Sequence, residues 1–268
     1  MIHLTAIELA PRRGPVRHGF PFDVPAIEAL PGLELTSPVT ILVGENGSGK
    51  STLLEAIAIA ARATTAGTAD AVDDDTLAGV RALAAELRLS WQSRTHRGFF
   101  LRAEDFFGFA RRIAAMRASL ESDLAGVLEA YADRETFARD LAASPFRKEL
   151  AELRRRYGDG IDTRSHGEAF LAFFQDRFVP RGTYFLDEPE APLSPSRQLA
   201  FLALLREAVA ADCQIVMATH SPILLAFPGA VIWSFDTTPI APVAYAELEH
   251  VRLTRDFLNN PEAFLRHL

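Results

Sequence analysis

An α/β fold built on a mostly parallel sheet is predicted from three features of the sequence. An apolar run, Ile41-Leu42-Val43, leads into a glycine-rich turn, and Leu53, Leu54, Ile57 and Ala61 then recur at helical spacing. In the second half, short apolar runs alternate with helical stretches, the pattern of strands joined by crossover helices. Two of those runs end in residues that carry chemistry, Asp187-Glu188 and Thr219-His220, and open parallel sheets gather their ligands at the carboxyl ends of the strands.

The turn after Val43 reads Gly44-Glu45-Asn46-Gly47-Ser48-Gly49-Lys50-Ser51-Thr52 and fits G-x-x-x-x-G-K-[ST] without a mismatch. Each part has a physical reason. The glycines let successive backbone N–H groups curl around a phosphate, and the helix start adds its positive dipole end. Lys50 would reach the β- and γ-phosphates, and Ser51 would offer its hydroxyl to Mg²⁺. A chance match in a chain of this length and average composition has odds on the order of one per cent. Strand, loop and helix in the right order lower it further. No Asn-Lys-x-Asp run accompanies the loop, which argues against a small GTPase.

The chain has 268 residues, 49% of them hydrophobic, enough for a real core in one large domain. Net charge is −7 and the pI about 5.5, which excludes a polybasic binder of the histone kind but not a local basic patch. The lone Cys213 sits in an apolar run and reads as a small buried residue in a reducing compartment. Residues 1–9 lack the basic start and apolar block of a secretory signal, and a cytoplasmic setting is expected. Residues 213–235 contain no Asp, Glu, Lys or Arg. Thr219-His220-Ser221-Pro222 and Pro228-Gly229 break that stretch into pieces too short to span a bilayer, so no membrane insertion is expected.

Taken in order, residues 3–9 read as a first strand. Residues 11–25, with Arg12, Arg13, Arg17, His18, Phe20 and Phe22, read as a loop or hairpin edge; an Arg or aromatic there could lie against an adenine. Residues 64–75 are small, polar and acidic, and a mobile loop is expected. Residues 86–91 and 98–102 read as a β-hairpin, the basis for an antiparallel β subdomain. From 104 to 157 the pattern is helical, with Arg-rich faces but no sustained heptad, and residues 105–164 are taken as a helical insertion within a single domain spanning 1–268. Arg147-Lys148 and Arg154-Arg155-Arg156 are the clusters a DNA contact would use, although such clusters are more often solvated helix faces. Strands are expected at 183–186, 215–218 and 231–235, helices at 196–210 and 222–226, and a helical tail over 251–268 broken near Asn259-Asn260-Pro261. Ser221 followed by Pro222 makes a good helix start.

Two carboxylates close the strand Tyr184-Phe185-Leu186-Asp187-Glu188-Pro189. Half-buried carboxylates need a cation or donor, so Asp187 would hold Mg²⁺ and Glu188 would activate the attacking water, with Glu190 the alternative base. His220, at the end of the next strand, could donate a hydrogen bond to the γ-phosphate. Arg164-Ser165-His166-Gly167-Glu168 precedes an apolar helix over 169–178. Ser165 and Glu168 have capping-box spacing; Ser165 and Gly167 could also present a hydroxyl, N–H groups and a helix N-terminus to a phosphate.

This set resembles the ATP-binding-cassette ATPases, and more narrowly the soluble AAA-labelled ATPases near the SMC and RecF-type heads. The resemblance covers most of the chain. It implies an ABC-type P-loop NTPase that binds ATP with Mg²⁺ and hydrolyses it, and two heads that sandwich two ATP molecules, each phosphate loop facing the partner's signature helix. A nucleotide-driven dimerising switch in DNA maintenance or defence follows from it; the sequence itself does not show DNA binding. The signature is loose, with His166 in place of a glycine and Glu168 in place of Gln, and Ser194 stands where the D-loop usually has Asp. For the Q-loop residue, a further metal neighbour, Gln92 and Glu104 are the candidates, and Glu104 is preferred. A P-loop small-molecule kinase and a transporter's ATPase subunit are the alternatives.

Overall fold

A computed structural model describes residues 1–11, 18–65, 78–157 and 166–266. Its centre is a seven-stranded sheet in the order β10-β9-β3-β8-β7-β6-β4. The strands are β3 (Val39–Val43), β4 (Thr64–Thr65), β6 (Phe99–Arg102), β7 (Thr183–Asp187), β8 (Gln214–Ala218), β9 (Val231–Ser234) and β10 (Ala241–Pro242). All neighbours pair in parallel except β10, which turns back antiparallel on β9. A second, antiparallel sheet is β2-β1-β5, from β1 (Leu4–Leu9), β2 (Leu33–Glu34) and β5 (Leu87–Trp91).

The central strands are buried on both faces, which is why they read as continuous apolar runs. Alternate residues serve two cores. Ile41, Val43, Tyr184, Leu186, Ile215 and Met217 face one core, where they meet Phe170, Phe174, Phe201 and Leu205. Leu42, Phe185, Val216 and Ala218 face the other, under Leu53, Leu54 and Ile57. The first core is rich in aromatics: Phe106 and Phe170 meet edge-on at 4.9 Å, and Phe99 and Tyr184 at 5.0 Å.

Helices cover both faces: α1 (Pro25–Glu28), α2 (Lys50–Ala61), α3 (Ala78–Glu86), α6 (His166–Arg177), α7 (Pro195–Ala210), α8 (Pro222–Leu225), α9 (Glu249–Asn259) and α10 (Pro261–Leu265). Two long helices, α4 (Ala103–Ala130) and α5 (Thr136–Tyr157), follow β6 and pack on each other. The break in the tail falls where Asn260 caps α10 through Oδ1 and Pro261 opens it. No helix among the described residues is long and apolar enough to cross a membrane.

The expected hairpin of residues 86–91 and 98–102 does not form. β5 joins β1 in the small sheet, whereas β6 joins β7 in parallel in the large one. Apolar alternation marked both strands but carries no information about partners. Gly98 adds a local reason: its φ is +117°, and a Cβ there would overlap the Thr183 carbonyl, so the chain runs hard against β7. No strand forms over residues 18–24, which turn into α1. Of the other expectations, Arg12, Arg13 and Arg17 lie outside the described residues, as do 66–75 of the acidic loop.

Gln214 ties the two sheets together. Fully buried, it accepts from the backbone N–H groups of His3 and Leu4 at 2.9 and 2.8 Å, and donates to the Leu4 carbonyl at 2.8 Å. Both polar atoms of its side chain therefore find partners within the core.

Candidate active site

Four adjacent parallel strands, β3, β8, β7 and β6, each end in a polar residue or loop, and the four ends lie side by side. After β3 comes the glycine turn. Gly44, Gly47 and Gly49 all have positive φ, at 152°, 81° and 102°. A Cβ on Gly44 would come within 2.8 Å of Phe235 Cβ, so here the turn needs both the conformation and the space. Asp236 anchors the turn by accepting the Glu45 backbone N–H at 2.8 Å. Lys50 lies only 4% exposed, with Nζ donating to the carbonyls of Gly44 at 2.6 Å and Glu45 at 2.7 Å. Burial lowers its pKa, opposed by the charges of Glu188, Asp236, Asp187 and Glu190.

Ser51, in the first turn of α2, donates to Asp187 Oδ1 at 2.9 Å. This brings together two residues far apart in sequence, both expected to face Mg²⁺. Asp187 is buried at the end of β7, and burial pushes its carboxyl above the usual range although Arg102 and Ser51 pull it down. Glu188 follows with φ +48°, a left-handed conformation unusual for a side-chain-bearing residue, and its backbone N–H is held by the Ala218 carbonyl at 2.9 Å. Its carboxylate is exposed and close enough to Lys50 and His220 to act on both electrostatically.

His220 follows β8. Its Nε2 is buried with no partner among the described residues, and burial, then Lys50, lowers its pKa. The imidazole is thus held neutral, with one nitrogen free to bond. Glu190 fixes the turn that carries it, with Oε1 accepting the backbone N–H groups of His220 at 2.7 Å and Ser221 at 3.1 Å. Ser221 caps α8 through its Oγ, as the Ser-Pro pair predicted.

Arg102 was not singled out by sequence. It ends β6 directly beside Asp187, donates from Nε to Asp187 Oδ2 at 3.1 Å, and pairs through Nη2 with Glu55 Oε2 at 2.9 Å. Glu104 lies in the first turn of α4 with its side chain 77% exposed, and its carboxylate sits 3.6 Å from Arg102 Nε. A cation, Arg102, therefore stands between Glu104 and Asp187. Gln92 sits at the far end of β5, exposed, and its backbone N–H is bound to the His3 carbonyl. Ser165 lies outside the described residues. Gly167, in the first turn of α6, packs against α7: a Cβ on it would come within 2.8 Å of Arg197 Cδ. Arg197 also pairs with Glu168 at 2.9 Å. Asn46 is exposed, and Ser48 and Thr52 are half-buried around the loop.

Arg147 pairs with Asp140 at 3.1 Å and Arg155 with Glu152 at 2.8 Å, so part of the positive charge on α5 is balanced within that helix.

Two family models match the chain. One, an AAA domain, covers residues 27–77, and the second, described as "AAA domain, putative AbiEii toxin, Type IV TA system", covers residues 169–226. The first spans the phosphate loop, and the second spans Asp187, Glu188 and His220. Among solved structures, the chain is similar to "a putative metal-chelate type ABC transporter" in an inward-facing conformation, with 17% identity over 96% of this chain and 89% of that one, and a TM-score of 0.50. This is the fold of an ATP-binding-cassette ATPase. The ABC-type fold is also similar to cbiO1 of Clostridium perfringens, part of the ABC transporter complex cbiONQ (14% identity, 99% and 100% of the two chains, TM-score 0.48). The SMC head domain from Thermotoga maritima is similar at 13% identity over 91% and 100%, with a TM-score of 0.41. No curated protein matches the chain.

Proposed function

We propose that this protein binds Mg²⁺-ATP at the loop Gly44–Thr52, hydrolyses it to ADP and phosphate, and uses the nucleotide to drive dimerisation of its heads. The observation that carries the reading is the Ser51–Asp187 contact at 2.9 Å, which sets a hydroxyl and a carboxylate oxygen side by side at the mouth of the loop. That pair fits a hard, oxygen-loving cation that takes its remaining ligands from phosphate and water. No cluster of three or more His, Cys, Asp or Glu among the described residues could hold a metal alone, which suits a cation that arrives with the nucleotide. Bound there, Mg²⁺ would neutralise developing charge on the phosphate oxygens.

The chain's own groups do the rest. Backbone N–H groups of residues 45–50 and the start of α2 hold the β-phosphate, and Lys50 exchanges its two carbonyl contacts for phosphate oxygens. Glu188, exposed beside Lys50 and His220, orients a water and takes its proton. His220, neutral and with Nε2 unpartnered, donates to the γ-phosphate. The far side of that phosphate is closed by Ser165 and Gly167 of a second copy. In this reading residues 105–164 form a helical lobe inserted within one domain, and the setting is cytoplasmic.

Phosphate release from ATP by the purified chain, with no acceptor added, tests the reading. Turnover that depends on Mg²⁺ and is lost in Glu188→Gln is expected. A protein that transfers phosphate only to an added small molecule is a kinase and overturns it.

A further inference from the structure

Arg102 closes a ring of charge at the metal end of the site. α2 carries Ser51 and, one turn on, Glu55, so both project from the same helix face. Ser51 holds one oxygen of Asp187, Arg102 Nε holds the other at 3.1 Å, and Arg102 Nη2 holds Glu55 Oε2 at 2.9 Å. Side-chain exposures are 4% for Asp187, 11% for Glu55 and 26% for Arg102. Two carboxylates at that depth need a counter-cation, and the guanidinium with its fork of donors supplies it.

The arrangement has a consequence for metal chemistry. Without the guanidinium, Asp187, Glu55 and the Ser51 hydroxyl would be an uncompensated set of hard oxygen ligands, a site for a divalent cation in the absence of nucleotide. With it, Asp187 Oδ2 and Glu55 are engaged, and Asp187 is left to offer one oxygen, the one Ser51 touches. We propose that Arg102 is a positioning residue that makes metal binding depend on the nucleotide: it fixes Asp187 for ligation through Oδ1 alone and keeps Glu55 out of the coordination shell. This rests on the Mg²⁺-ATP reading above and adds to it the group that prevents the metal from binding first.

Nucleotide-free Mn²⁺ binding, followed by the electron paramagnetic resonance signal of the free ion, tests the proposal, together with calorimetric titration of ATP with and without Mg²⁺. The parent and Arg102→Lys, which both keep a cation beside Asp187, should exclude Mn²⁺. Arg102→Gln should bind Mn²⁺ without nucleotide about tenfold or more tightly than the parent, the scale of one unit charge removed at short range. In the double variant Glu55→Gln/Arg102→Gln no buried Glu55 charge is left unpaired, so it can fold where the single variant does not. There, the gain in ATP affinity on adding Mg²⁺ should grow about tenfold over the parent's. A merely structural role would lower the melting temperature of the variants and leave both metal readouts at parent values, which overturns the proposal while ATP binding by the parent stands. A parent protein without affinity for ATP in either condition overturns the nucleotide reading and this one together.

Discussion

Glu190 Oε1 accepts the backbone N–H of His220 at 2.7 Å, so the loop after one strand holds the turn after its neighbour. The same oxygen takes the Ser221 N–H at 3.1 Å, and the other oxygen, Oε2, is buried without a partner among the described residues. Glu190→Ala should strand the His220 N–H, while the Ser221 N–H keeps Thr219 Oγ1 at 3.0 Å, and cost about 1–3 kcal/mol by denaturant titration, with ATP turnover falling as His220 loses its support. Glu190→Gln keeps an acceptor oxygen and should lose less of both. An alanine variant with the parent's midpoint and turnover would show that the turn needs no such support.

Lys50 is bound to its own loop, and this sets what its removal does. Its ammonium bridges the Gly44 and Glu45 carbonyls. Lys50→Ala should weaken Mg²⁺-ATP binding by at least about tenfold, through loss of a charge-assisted phosphate contact, and abolish turnover. Calorimetric titration with unchanged affinity would refute the placement of Lys50 on the phosphates.

Glu188 occupies a left-handed backbone position, and the Gln substitution leaves that backbone and its bond to Ala218 in place. Glu188→Gln should therefore still bind ATP, while hydrolysis drops roughly two to four orders of magnitude. Parent-rate hydrolysis would move the base elsewhere. Glu190 is then first to test: burial raises its pKa, which strengthens a carboxylate as a base, although its Oε1 is already engaged.

Burial lowers the pKa of His3, His220 and His250, keeping each imidazole neutral below 6.5, where the unfolded chain takes up protons. The unfolded state then binds more protons, so this contribution is present above pH 6.5 and is lost as pH falls through the folded values. Glu55 and Glu190, raised by burial, act with the opposite sign: the folded state binds more protons, and their share of stability falls as pH rises above 4.5, the ordinary value for glutamate. Chemical denaturation at pH about 6.5 and about 5.5 should show the parent losing more stability than a His220→Asn/His250→Asn variant. Equal losses would mean that these imidazoles are protonated in the folded chain.

The site was legible wherever its chemistry is local in sequence. Gly44 to Thr52 lie on one turn, Asp187 and Glu188 end one strand, and His220 starts the next turn, so spacing and apolar patterning sufficed. Arg102 left no such trace. Its meaning comes from β6 pairing with β7, and residues 98–102 read equally well as half of a hairpin. The signal that could have found it is the buried pair Glu55 and Asp187, which need a cation that the motif does not supply. The fold was legible for the same reason in β3, β7, β8 and β9, whose residues are buried on both faces. It was not legible in β2, β4 and β10, two residues each, or in α1 and α3, which are too short or too weakly patterned to declare themselves.

The start of α6 carries Gly167 and Glu168 and is locked to the start of α7 through Arg197, which pairs with Glu168 and packs where a Gly167 Cβ would lie. A substitution at Gly167 would therefore disturb the monomer as well as any interface, and cannot separate the two. The test is therefore placed at Ser165, the other residue of the expected contact. If Ser165 served its own subunit's nucleotide, Ser165→Arg would weaken ATP binding in a monomer. If it serves a partner's, ATP binding survives while assembly and hydrolysis fail together, and this is the expected outcome. In the proposed dimer a helix N-terminus from a second copy would close the open side of the γ-phosphate and exclude bulk water. Such a reciprocal contact is an isologous two-fold interface. Glu188→Gln should accordingly pass from monomer to dimer on addition of Mg²⁺-ATP, by light scattering, and Ser165→Arg in that background should stay monomeric. A hydrolysis-deficient protein that remains monomeric in saturating ATP at micromolar concentration would sink the switch, and a dimer of unchanged mass with or without ATP would leave the interface but remove its control by nucleotide.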